Sequence, residues 1–282
     1  MTDARRIFVI LDPTTMNQPS LVMAETIAED FLSSGATHVA LHLYACIAED
    51  TVRRPPGMDE QVARAEEQSR IESWVERLAE RGRSLDFTVV TEVEIQPDWR
   101  KAVTAAVARQ PCVLAITNMT EQSRLTRWIR ESADWRLLRD CACPLLLVKS
   151  YARRHIKNVL VAIKHGTDEQ IYEAANERLL RTGRSLAESM GAELHVVSAY
   201  QGEYFPDRQK LADRCGLPRN RVRAAAGTPE SVIAGIAKEL PADLVVLARV
   251  GKSGSGEKLG RTAEKVIDGL YCNMLVLPMT GE

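Results

Sequence analysis

Short apolar runs alternate with longer stretches of helical periodicity along nearly the whole chain, the pattern of strands and helices in turn. Residues 5–11, RRIFVIL, predict a buried strand. They lead into PSLVMAETIAEDFLSSG, a helix with Gly35 placed as its stop. THVALHLY, a long charged helix between Asp59 and Glu80, FTVVTEV, a helix opened by Pro97, then CVLAI and PLLLVK complete a first set of about five strands. The same order returns after Tyr151. NVLVAI leads through HGTDEQ into a helix, where Thr167 and Gln170 have capping-box spacing, and Gly191 ends it. ELHVVSAY and RVRAAAG follow, then TPESVIAGIAKEL with Thr228 at the cap and Pro229 at the first helical position. DLVVLAR and MLVLP close the second set.

The chain therefore carries an internal duplication of two βαβ-rich halves, with a predicted boundary inside the basic stretch SYARRHIK, giving domains 1–151 and 152–282. Helices interleaved with short apolar strands imply parallel sheets covered on both faces, an α/β doubly wound class. The second copy is the shorter one. It replaces the long charged helix with QGEYFPDRQKLADRCGLP.

Composition narrows the function classes. The 282 residues suit two domains at roughly 150 residues each. Hydrophobic residues make up 45% and aromatics only 5%, so the cores are expected to rest on Val, Leu, Ile and Ala. A net charge of −1 gives no global pull toward nucleic acid or anionic membrane, so neither is expected as a partner. No apolar run approaches the roughly 20 residues of a membrane span. The six cysteines, at 46, 112, 141, 143, 215 and 272, contain no CxxC pair. Cys141 and Cys143 read as core packing, and a reduced, cytoplasmic protein is expected. His38, His42, His155, His165 and His195 lack metal-ligand spacing and read as structural or surface groups. Trp128 and Trp135 read as packing or interface residues.

The segment LVVLARVGKSGSGEKLGRTAEKVID, 244–268, carries the candidate chemistry. It is not a Walker loop, because the required upstream glycine is Val246, inside the strand. A dinucleotide fingerprint fails at Leu259, and a nucleophile elbow fails at Ser255. Its position is more informative than its letters. It leaves the carboxyl end of a fourth strand and feeds a helix starting near Gly260, where unpaired N–H groups and the helix dipole favour an anion. Arg249, Lys252, Lys258, Arg261 and Lys265 against Glu257 and Glu264 add a local excess of three positive charges.

With VLARVGKSGSGEKLGRTAEKVID, the trailing CNMLVLP and DWRLLRDCACPLLLVK at 134–149, the chain resembles the universal stress protein family in its tandem two-domain form. The resemblance implies two flavodoxin-like five-stranded sheets of order 3-2-1-4-5. It also implies ATP, or a related ligand such as AMP, ADP or a nucleotide-sugar, along strands 1, 2 and 4. The implied ligand-binding set is Lys164, Ala199, Arg249, Gly251, Lys252, Ser253, Gly254, Gly260, Arg261 and Thr262. The family's Gly-x2-Gly-x9-Gly-Ser/Thr is altered here. Ala248 replaces the first glycine, eight residues rather than nine precede Gly260, and Arg261 displaces the hydroxyl residue to Thr262. Lys164 stands where nucleotide-binding members carry Asp, and an ammonium donates but cannot accept. The first half keeps Asp12 there, but its loop region ITNMTEQSRLTRWIRESADW has no glycine, and Glu131 aligns with Gly260. A phosphate-bearing small molecule is thus expected in the second half only. The first half is expected as an intramolecular pseudo-dimer partner, with homodimerisation open.

No paired carboxylates, metal triad or nucleophile–His pair marks the loop, so a non-catalytic binding role is expected. A slow nucleotide hydrolase using Glu257 or Glu264, and a ligand-free scaffold, stand as alternatives.

Overall fold

The computed structural model describes residues 4–119, 133–149, 155–165, 170–202, 206–250 and 261–279. The chain forms two compact units, Met1–Ser150 and Tyr151–Glu282.

In the first unit the order is β1 (Ala4–Leu11), α1 (Pro19–Ser33), β2 (His38–Ala48), α2 (Glu60–Ser84), β3 (Thr88–Gln96), α3 (Trp99–Arg109), β4 (Leu114–Asn118), α4 (Ala133–Asp140) and β5 (Leu145–Val148). All neighbouring strands are parallel, in the order β3-β2-β1-β4-β5. The central strands are apolar on both faces because helices cover both. Along β2 every residue from Val39 to Ile47 is buried, whereas β3, at the edge, has only Ile95 buried.

The second unit runs β6 (Asn158–Ile163), α5 (Gln170–Met190), β7 (Glu193–Tyr200), α6 (Arg208–Cys215), β8 (Val222–Ala226), α7 (Pro229–Glu239), β9 (Leu244–Val250), α8 (Arg261–Gly269) and β10 (Asn273–Met279). Its sheet is again parallel, ordered β8-β7-β6-β9-β10. Both sheets therefore have the expected 3-2-1-4-5 order, and the strand order reverses between β1 and β4 and between β6 and β9.

Local signals set most helix ends. Gly35 and Gly191 take positive φ (91° and 60°), as helix stops require. The hydroxyl of Thr228 accepts from the Ser231 N–H, and Pro229 is the first residue of α7. α3 differs from expectation. It begins at Trp99 rather than Pro97, because Asp98 supplies the cap by accepting from the Lys101 N–H. The stretch 201–218 contains α6, between an Asp207 cap and Gly216 in the left-handed conformation. Thr167 lies outside the described residues.

Close packing fixes α5 on its sheet. A Cβ at Gly183 would lie 2.4 Å from a Val161 methyl and 3.2 Å from Leu194, so only glycine lets the helix approach this near. At the amino ends of the strands, Asp243 is buried, and its carboxylate accepts from the backbone N–H groups of Lys157 (2.8 Å) and Asn158 (3.0 Å). Among the described residues, no helix is long and apolar enough to cross a membrane.

Candidate functional site

A residue that leaves the end of a parallel strand loses its ladder partners, and its N–H and C=O must be satisfied elsewhere. At the end of β6 that residue is Lys164. Its N–H donates to Asn176 Oδ1 (3.0 Å), and its carbonyl accepts from Asn176 Nδ2 (2.7 Å). Asn176 projects from α5 and is 3% exposed. An amide side chain suits this task because it carries a donor and an acceptor side by side. The next N–H, of His165, donates to Ser198 Oγ at the end of β7 (3.3 Å). The Lys164 backbone is thereby fixed, and its ammonium sits 3.7 Å from the centroid of the Tyr172 ring, a cation–π contact. Burial holds the His165 imidazole below its ordinary value, with a smaller push from Arg214.

Beyond these strand ends opens a cleft of about 480 Å³. β6 contributes Ala162 and Ile163, β7 contributes Val197 and Ala199, and β9 contributes Leu247 and Ala248. Tyr172, Ala175, Asn176 and Leu179 line it from α5, and Gly227, Pro229 and Ile233 from the start of α7. Thr262 and Ala263 bring in the first turn of α8. Ala162, Ala199 and Ala248 at the strand ends, with Ala175 and Ala263 from the helices, keep the lining short and leave space between the larger side chains. Among the described residues the result is an apolar slot with the Lys164 ammonium, a few amide and hydroxyl groups and a helix start at its margin. Volume and lining of this kind suit a small organic ligand with an anionic end.

Of the residues singled out from sequence, Lys164, Ala199 and Thr262 line the cleft. Arg249 follows Ala248 on β9, is half-buried, and is not among the lining residues. Arg261 is the first residue of α8; Gly251, Lys252, Ser253, Gly254 and Gly260 lie outside the described residues, as do Glu257, Lys258, Trp128 and Glu131. Only the backbone of Trp135 is described. Lys265 pairs with Glu230 of α7 at 3.0 Å, so part of the expected local excess of charge is spent between two helices. Tyr172, Asn176, Ser198 and Gly227 were not anticipated. Of these, Asn176 left a trace in the sequence, an amide on the apolar face of α5 between Ala175 and Leu179.

The first unit solves the same backbone problem differently. Gln18 Oε1 accepts from the Asp12 N–H (3.0 Å), and Gln18 Nε2 donates to the Asp12 carbonyl (2.7 Å). The Asp12 carboxylate, at the position that the resemblance matches to Lys164, accepts from the Thr14 N–H (2.9 Å) and hydroxyl (2.6 Å). Asn118, at the end of β4, accepts from the Ser20 N–H (2.7 Å) and donates to Gln18 (3.2 Å). Here the gap between the first and fourth strands is bridged by the protein's own amides.

Comparison with known proteins agrees with this architecture. The model described as "Universal stress protein family" matches residues 4–149 and 198–278. Universal stress protein E of Escherichia coli K12 is 28% identical over 303 residues, covering 97% of this chain and 93% of that protein. The universal stress protein E homolog of Haemophilus influenzae is 30% identical over 222 residues, covering 68% of this chain and 72% of the homolog. Among solved structures, a universal stress protein from Archaeoglobus fulgidus superposes with a TM-score of 0.71 at 15% identity, covering 97% of this chain and 96% of that one. A functionally unknown protein from Pseudomonas aeruginosa PAO1 gives 0.73 at 22% identity, covering 99% and 94%. With matching segments that take in most of both halves and relatives aligned almost end to end, the chain belongs to the universal stress protein family.

Proposed function

We propose that this stress-family protein binds a phosphate-bearing nucleotide, ATP or a close relative, in its second unit, and acts through binding rather than turnover. The observation that carries the reading is the open cleft at the carboxyl ends of β6, β7 and β9, where the strand order reverses and Lys164 is held at the margin. Apolar atoms from Val197, Leu247, Leu179 and Ile233 suit a base and sugar. The Lys164 ammonium, Thr262 and the start of α8 suit phosphate oxygens. Gly251, Lys252, Ser253, Gly254, Gly260, Arg261 and Arg249 complete the proposed phosphate-binding set. The first unit, with its amide bridge, takes no part.

Equilibrium dialysis of the full chain against ATP, ADP, AMP, adenosine and a nucleotide-sugar tests this. One saturable site, tighter for the phosphorylated ligands than for adenosine, is the expected result. Absence of saturable binding by all five sinks the reading.

A further inference from the structure

The six cysteines are scattered in sequence, yet three of them meet in the first unit. Cys112 precedes β4, and Cys141 and Cys143 precede β5. β4 and β5 are neighbouring parallel strands, with Ala115 opposite Leu145, and such strands run about 4.8 Å apart, so their lead-in segments lie side by side. Backbone bonds hold those segments. The Val113 N–H donates to the Arg6 carbonyl (2.9 Å), the Ala115 N–H to the Pro144 carbonyl (2.9 Å), and the Cys141 N–H to the Leu137 carbonyl (2.9 Å). The sulfurs of Cys112 and Cys143 are 3.1 Å apart, and those of Cys141 and Cys143 3.6 Å. A disulfide requires about 2.05 Å, so an approach of about 1 Å joins the closer pair. Cys112 and Cys143 are partly exposed, whereas Cys141 is buried. All six cysteines are thiols, and Cys46, Cys215 and Cys272 are buried elsewhere.

We propose that Cys112 and Cys143 form a hydroperoxide-responsive dithiol, with Cys112 as the attacking sulfur and Cys143 as the resolving one. The roles follow from the surroundings. The contact with Cys143 is the largest influence on Cys112 and, with the Arg6 guanidinium, holds its thiol below the ordinary value despite burial. Hydrogen bonding to Cys112 and Cys141, together with burial, pushes the Cys143 thiol up. A proton shared across the 3.1 Å contact leaves one sulfur of the pair as thiolate and the other as thiol, and the Arg6 guanidinium beside Cys112 favours the charge there, the division that sulfenate chemistry uses. With hydrogen peroxide as oxidant, the Cys112 thiolate attacks one peroxide oxygen and the O–O bond breaks. Hydroxide leaves and is protonated to water, and Cys112 becomes a sulfenic acid. The Cys143 sulfur then attacks Cys112. The S–S bond forms, the S–O bond breaks, and the sulfenic oxygen leaves as water with the Cys143 proton. The net change is the loss of two hydrogens from the protein and the reduction of one peroxide to two waters. This chemistry draws on nothing in the cleft of the second unit, and its outcome is independent of nucleotide binding.

The test is peroxide titration of the reduced full chain followed by alkylation, trypsin and mass spectrometry. Cleavage places Cys112 on residues 110–124 and both Cys141 and Cys143 on residues 140–149. The expected product is a dithiothreitol-reversible link between these peptides, with fragment ions placing the bridge on Cys143. Before oxidation, iodoacetamide at neutral pH should label Cys112 about tenfold faster than Cys141. In Cys143→Ser, dimedone should trap a sulfenic acid on Cys112. A bridge confined to Cys141 and Cys143, or oxidation spread evenly over all six cysteines of the folded wild type, overturns the proposal without any variant.

Discussion

The ends of β1 and β6 show how one backbone requirement is met with opposite consequences. In both, an amide side chain satisfies the N–H and C=O of the residue just past the strand. Gln18 does so for Asp12, from the turn before α1, and Asn176 does so for Lys164, from within α5. The difference lies on the neighbouring strand. By register, Ile10 faces Thr117 and Val161 faces Val246, so the last residues of β1 and β6 have Asn118 and Ala248 as their counterparts. Asn118 reaches Gln18 and the Ser20 N–H and bridges the gap. Ala248 reaches nothing across it and lines a cleft. One side chain therefore separates a tied strand end from an open one. The position where the family carries its first loop glycine is occupied here by the next smallest residue.

The largest way to disturb this comparison is Asn176→Ala. It strands a buried donor and acceptor at once, and should cost about 2–4 kcal/mol of unfolding free energy in urea melts. Gln18→Ala should weaken the first unit by a similar mechanism. If Asn176→Ala were neutral, the amide would not be what holds Lys164. Next in size is Ala248→Asn, which imports the first unit's bridge into the second. Proposed nucleotide affinity should fall about 30-fold, roughly 2 kcal/mol, with little change in stability. Unchanged affinity would place the ligand elsewhere. Lys164→Met should then weaken ATP about tenfold while changing adenosine less than about twofold, because only the phosphate end meets the ammonium. Equal losses for both would show that the residue supports the slot rather than the anion.

The smallest effect is on pH. Burial lowers the His165 and His195 imidazoles in the second unit, and also His42 in the first, where Glu92 at 2.8 Å works against the shift. A folded value below the unfolded value near 6.5 means that the unfolded chain takes up more protons on acidification. Stability is therefore full above that value and declines as the pH falls through about 6.5. The thermal midpoint should drop between about pH 7.5 and 5.5, and His165→Gln and His195→Gln should flatten the decline in the second unit. A midpoint that rises on acidification would reverse the sign.

The duplicated strand–helix order was legible in the sequence because parallel strands buried on both faces write themselves as continuous apolar runs, and because Thr228, Pro229, Gly35 and Gly191 mark helix ends by local chemistry. Pro97 misled by two residues because a proline tolerates the first turn but does not cap it, and Asp98 does. α6 escaped notice because eight residues, mostly charged, carry too little periodicity. Its signals were the Asp207 cap and Gly216. In the candidate site, Lys164 and Thr262 came from the family resemblance, which sets them at a strand end and a helix start. Asn176 could not, since its partner lies 12 residues away and is met only when α5 packs on the sheet. The meeting of Cys112 with Cys143, 31 residues apart, depends on strand register that no spacing rule contains.

α5 holds more than one point of the rim. Two residues beyond Asn176, Arg178 donates through Nη1 to the carbonyl of Pro278 near the end of β10 (2.9 Å). One helix, pressed close to β6 at Gly183, thus ties down the tips of the first and last strands of its unit like a strut nailed across a row of planks. Both tips therefore hang from one helix, so the places of the Lys164 backbone and of the Pro278 carbonyl are set by the same rigid rod.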